Sequence, residues 1–163
     1  MTHPLKFSAD VSEFMRLLSM FDVQYLVVGG EAVIYYGHAR LTGDIDFFYD
    51  ISDKNVEKLF EVLKIFWDGE IPEIKHKKEL KKKGMVIQFG APPNRLDLVN
   101  SIDGITFTAA WKNKVVESFT YKKKHYPVYY IGIDDLIKNK KAVHRNKDND
   151  DIRFLTAVKK TVN

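Results

Sequence analysis

The chain has 163 residues, 45% of them hydrophobic and 29% charged, with a net charge of +4 and no cysteine. That composition predicts a globular fold, and the length predicts one domain, 1–163, able to bury a core without a covalent staple. The lack of thiols excludes a disulfide scaffold, a Cys-ligated zinc site and a thiol nucleophile, and it suits a reducing, cytoplasmic setting. Met1 to Lys6 contain no basic segment leading into an apolar stretch, and no apolar run approaches eighteen residues. Neither a signal peptide nor a membrane span is expected.

Val11, Phe14, Met15 and Leu18 recur at the spacing of one helix face, with Asp10 and Glu13 as the expected capping box. Tyr25 to Val28 predict a short buried strand stopped by Gly29-Gly30, and Glu31 to Tyr36 a helix directly after it. Asp44 to Tyr49 predict a second strand. Val56, Leu59, Phe60 and Leu63 mark another amphipathic helix, with Ser52 as its cap. The lysine-rich stretch from Lys75 to Lys83 reads as a mobile connection. Met85 to Phe89 and Arg95 to Val99 read as strands joined through a Gly90–Asn94 loop. Val115 to Tyr121 alternates as a strand and pairs with Tyr126 to Ile131 across a Lys122–His125 turn. Helices about Asp134–Val143 and Asp148–Lys159 close the chain. The expected fold class is α/β: a mixed sheet flanked by helices, with a core about 20–132 and a helical C-terminal segment about 133–163.

The chemistry concentrates between Val28 and Asp46. Side chains alternate along a strand, so Asp44 and Asp46 share a face while Ile45 points into the core. Two carboxylates flanked by Ile45, Phe47 and Phe48 are costly unless something positive sits between them. A hard divalent cation with oxygen ligands suits that arrangement; Arg40 as a salt-bridge partner is the plain alternative. Gly29 and Gly30, without β-carbons, let a phosphate approach the backbone at the start of a helix.

The conjunction of strand, Gly29-Gly30, helix and Asp44-Ile-Asp46 resembles the DNA polymerase β-type nucleotidyltransferase superfamily. The Arg40-x-Thr42-x-Asp44-Ile-Asp46 ending is especially similar to its small bacterial members, the minimal nucleotidyltransferases and abortive-infection toxins. The resemblance implies a nucleotidyltransferase fold with two Mg²⁺ (or Mn²⁺) ions held by Asp44, Asp46 and a third carboxylate. Asp97, opposite in orientation to Leu96 and Leu98 in its strand, is the candidate; a water-facing strand is its alternative. The last third resembles a block in which a basic helix runs into a Lys-Asp-x-x-Asp turn. Lys138, Lys141 and Arg145 are placed on one helix face there, with Lys141 or Arg145 toward the triphosphate. Arg40 and Thr42 join the expected nucleotide-binding set. Asp148 and Asp151 are expected to cap the last helix and pair with nearby bases. Two departures stand out: Gly30 where many members have Ser, and Glu31 at a helix start.

The implied reaction moves an NMP from an NTP to a hydroxyl on a small molecule, an RNA end or a protein. A non-catalytic binding module of the same fold, a toxin–antitoxin component or a nucleic-acid or protein binder, is the alternative. Lys75, Lys77, Lys78, Lys81, Lys82 and Lys83, and Lys122 to Lys124, permit polyanion contact but do not establish it, because solvated lysine faces are ordinary. His3, His38, His76, His125 and His144 have no metal-ligand spacing, and no nucleophile motif is present.

Overall fold

A computed structural model describes residues 5–162; His3 lies outside them. Six apolar stretches pair into one mixed sheet: β1 (Tyr25–Val28), β2 (Asp44–Tyr49), β3 (Val86–Phe89), β4 (Arg95–Val99), β5 (Val115–Tyr121) and β6 (Lys124–Tyr130). Their order is β3-β4-β2-β1-β6-β5. β2 runs parallel to β4 and β1 to β6, while the other neighbours are antiparallel. The register sets Val28 opposite Asp46 and Asp46 beside Asp97. Alternation then sends Ile45, Phe47 and Tyr49 to one face and Asp44, Asp46 and Phe48 to the other.

The first face is covered by α1 (Ala9–Met20) and α3 (Asp53–Phe66). Phe14 of α1 meets Phe47 edge-on at 5.4 Å and Phe66 at 5.3 Å, and neither Phe14 nor Phe47 is exposed. Each such ring contributes about 1.5–3 kcal/mol through burial. The second face receives α4 (Phe107–Lys112), whose Phe107 stands edge-on to Phe48 at 5.2 Å. α2 (Gly29–Tyr35) follows β1; α5 (Ile133–Val143) and α6 (Asn149–Val162) follow β6. Among the described residues no helix is long and apolar enough to cross a membrane.

Several expectations need correction. The cap of α1 is Ser8, whose hydroxyl accepts from Val11 N–H, rather than the Asp10–Glu13 pair; Glu13 instead bonds Arg16. The second helix starts at Gly29 itself. The Lys75–Lys83 stretch is an anchored 3₁₀ turn, Lys77–Lys81, rather than a mobile connection. Leu80 is fully buried, and the Asn100 amide donates to the carbonyls of Leu80 (3.1 Å) and Lys82 (2.8 Å). Lys81 pairs with Asp53, and Lys77 with Glu57 at 3.7 Å. The β5–β6 turn has two residues, Lys122 and Lys123, instead of four. α4 was not foreseen. α5 stops at Val143 with His144 left-handed, so Arg145 lies beyond the helix instead of on its face.

Candidate active site

β1 delivers the chain to Gly29 in a left-handed conformation, φ +67. A β-carbon there would also collide with Asp46 Oδ2. Backbone conformation and the carboxylate thus both require glycine. At Gly30 a β-carbon would come within 2.9 Å of Thr42 Oγ1, so a larger residue there would require the Thr42 side chain to shift. The Thr42 hydroxyl lies 3.3 Å from both Asp44 Oδ1 and the Asp44 carbonyl oxygen.

Adjacent parallel strands β2 and β4 bring Asp44, Asp46 and Asp97 together, with one carboxylate oxygen from each within 4.8 Å of the others. Arg95, two residues before Asp97 and on the same face, binds two of the three. Its Nη2 donates to Asp44 Oδ2 at 2.6 Å and to Asp97 Oδ2 at 3.1 Å, and its Nε to Asp97 Oδ1 at 2.9 Å. Asp46 has no ion-pair partner among the described residues. Burial, then the charges of Asp44 and Asp97, push its carboxyl up to about 7. Glu31 is also pushed up, by burial and then by Asp44; it lines a cavity of about 190 Å³ with Thr42 and Asp44. An all-oxygen set with one uncompensated carboxylate fits a hard divalent cation.

A second cavity, about 260 Å³, opens over Gly29 and Asp46 and is walled by Lys140 and Arg145. Lys140, 4% exposed, bonds Asp148 Oδ1 and Asp151 Oδ2, each at 3.0 Å. Arg145 Nε donates to Asp148 Oδ2 at 2.7 Å. Burial pushes Asp148 up, but the hydrogen bonds from Arg145 and Lys140 outweigh it and leave the carboxyl below its usual range. Arg40 Nη1 donates to Asp151 Oδ2 at 2.5 Å, and His38 lies 3.7 Å from the same carboxylate. Asp148 and Asp151 therefore do pair with bases. Arg40 is not a partner of the Asp-Ile-Asp pair; Arg95 pairs with Asp44, and Asp46 is left without one. Lys141 is exposed and lines none of these cavities, whereas its neighbour Lys140 does.

A family model described as "Nucleotidyltransferase of unknown function (DUF6036)" matches residues 8–162. The chain belongs to that family. Its mixed sheet with flanking helices is consistent with a nucleotidyltransferase fold. No curated protein matches the chain. Two further residues of this candidate site carry readable signals in the sequence. Arg95 stands at i−2 from Asp97 in a strand, hence on its face. Lys140 falls at i+4 from Leu136 and i+3 from Ile137, hence on the buried side of α5.

Proposed function

We propose that the chain transfers a nucleoside monophosphate from an NTP to an acceptor hydroxyl, as a metal-dependent nucleotidyltransferase of the small bacterial kind. The observation that carries this reading is the convergence of Asp44, Asp46 and Asp97 beside the Gly29 turn. These carboxylates would hold two divalent cations, Mg²⁺ or Mn²⁺. When bound, the cations would supply Lewis-acid stabilisation of phosphoryl charge and ease ionisation of the acceptor hydroxyl.

The chain's own residues supply the rest. Gly29 and Gly30 keep the backbone beside Asp46 bare, so a phosphate can reach their N–H groups. Arg145, with its side chain 51% exposed, faces that cavity as the cation with capacity to spare, while Lys140 is held between two aspartates. Arg40 and Thr42 fix the loop entering β2 through Asp151 and Asp44. The acceptor oxygen forms a bond to the α-phosphorus, the bond to the β-phosphate oxygen breaks, and pyrophosphate leaves with the electron pair. Asp97, buried at the centre, takes the hydroxyl proton. Positioning and electrostatics carry such chemistry without a covalent intermediate.

The Arg95 bridge favours one second reading. If the guanidinium is a permanent partner of Asp44 and Asp97, the triad is a structural ion pair in a non-catalytic binding module. Incubation with each α-labelled NTP, Mn²⁺ or Mg²⁺ and cell extract separates the two. Wild type should label an extract component, and Asp46→Asn and Asp97→Asn should each lower labelling by about 10²–10³-fold or more. No labelling with any of the NTPs, together with metal-blind thermal melts, would leave the binding module standing.

A further inference from the structure

A cavity of about 590 Å³ lies on the same sheet face as the three carboxylates. Phe48 forms its floor, two residues beyond Asp46 in β2, which is about 6.6 Å of strand. Phe107 of α4 forms a wall, and Ile102 and Ile105 add apolar surface. Ser101 and Ile102 also line the smaller cavity over Asp46, so the two spaces share a wall. The Asn100 amide is fully occupied by the Leu80 and Lys82 carbonyls and by Gly84 N–H, which makes a rigid back. Two cations line only the larger cavity. Unlike Lys81, held by Asp53, neither Lys83 nor Lys138 has an ion-pair partner among the described residues. Asp50 contributes the one opposing carboxylate, leaving an excess of one positive charge.

We infer that this cavity is the acceptor subsite and takes a compact organic anion with a flat apolar body and a hydroxyl group. The inference rests on the transferase reading above. The volume is that of a small-molecule site. Phe107, with Ile102 and Ile105, suits a flat apolar body, and Lys83 and Lys138 suit an anionic substituent at one end. The other end of the ligand then lies along the Ser101–Ile102 wall, toward Asp46 and Asp97. There its hydroxyl oxygen bonds to the α-phosphorus, its proton passes to Asp97 and pyrophosphate departs. A neutral nucleobase would make no use of two unpartnered lysines.

Trp111 stacks on Phe107 with ring centroids 5.5 Å apart, which places its indole one ring behind the cavity wall. The chain has two tryptophans. Trp67→Phe silences the other one, and its indole N–H has no hydrogen-bond partner to lose. In that background, 6-hydroxy-2-naphthoate should quench Trp111 saturably and bind about tenfold more tightly than neutral 2-naphthol. Lys83→Gln with Lys138→Gln should erase that preference. Ala109→Phe, which fills the cavity from α4, should abolish binding while a thermal melt shows the fold intact. Asp46→Asn should leave naphthoate affinity unchanged while labelled transfer is lost. Equal affinity for acid and alcohol, or binding retained in folded Ala109→Phe, overturns the inference. Displacement of naphthoate by MnATP in simple competition also overturns it, by assigning the cavity to the nucleotide. Lysine-dependent naphthoate binding beside a wild type that labels nothing overturns instead the transferase reading, and with it the acceptor role.

Discussion

Asp46 bears most of the unfavourable electrostatics of the site, because Arg95 serves Asp44 and Asp97 and leaves it without a counter-charge. Its carboxyl, raised to about 7, takes up a proton on folding between the usual carboxylate range and neutrality. Such a group weakens the folded state as pH rises through that window, by at most about 4 kcal/mol. Asp148 acts in the opposite sense: held low, it stabilises above the usual carboxylate pKa and loses that effect only in more acidic solution. The metal-free protein should therefore melt progressively lower between pH 5 and pH 8. Asp46→Asn should flatten that decline and melt a few degrees above wild type at pH 7.5. Asp97→Asn, which takes a charge away from Arg95, should melt lower. Mn²⁺ should raise the wild-type melting temperature and leave Asp46→Asn unmoved. A wild-type melt independent of pH, or an Asp46→Asn variant less stable than wild type, would contradict this assignment of strain.

Between elements, the β5–β6 connection is under visible stress. Lys122 and Lys123 have φ of 50 and 66, so both occupy the left-handed region that a two-residue primed turn demands. Asn-Gly relieves such a turn, and a non-glycine residue there costs roughly 1–2 kcal/mol. Lys122→Asn with Lys123→Gly should raise the melting temperature by about 2–5 °C, since 1 kcal/mol moves a chain of this size by roughly 2–4 °C. No gain would mean that cation–ring contact, Lys122 over Tyr121 at 5.2 Å, already offsets the strain. The same elements show what was readable beforehand. β1, β2 and β4 and the helices around them follow from period and punctuation alone, and the register of β2 against β4 then brings Asp97 to Asp46. The 3₁₀ turn at Lys77–Lys81 does not, because its one buried residue, Leu80, is fixed by Tyr49 and Asn100, which lie far away in sequence. α4 is six residues with only Ala110 buried, too short for a period to register.

Taken as a whole, the molecule divides its site between the two parts of one sheet. β2 and β4 carry the carboxylates, while Lys140 and Arg145 arrive on the chain that leaves β6. Lys140 ties the closing segments together through Asp148 and Asp151. Removing one partner of a buried ion pair typically costs 3–5 kcal/mol. Here Arg145 still serves Asp148 and Arg40 still serves Asp151, so Lys140→Met should cost less, about 2–3 kcal/mol. A melting temperature within 2 °C of wild type would show that the network does not bear on stability. The Arg95 bridge has its own consequence for how the protein meets the salt around it. A cation seated between Asp44 and Asp97 would compete with the guanidinium for the same carboxylate oxygens. A potassium or sodium ion offers only the charge already present and none of those directed bonds. A divalent ion brings one charge more, with a preference for carboxylate oxygens. On the metal-dependent reading proposed above, the site would be an ion exchanger whose threshold lies above a single positive charge, passing over the abundant monovalent ions for the scarcer ones that carry two.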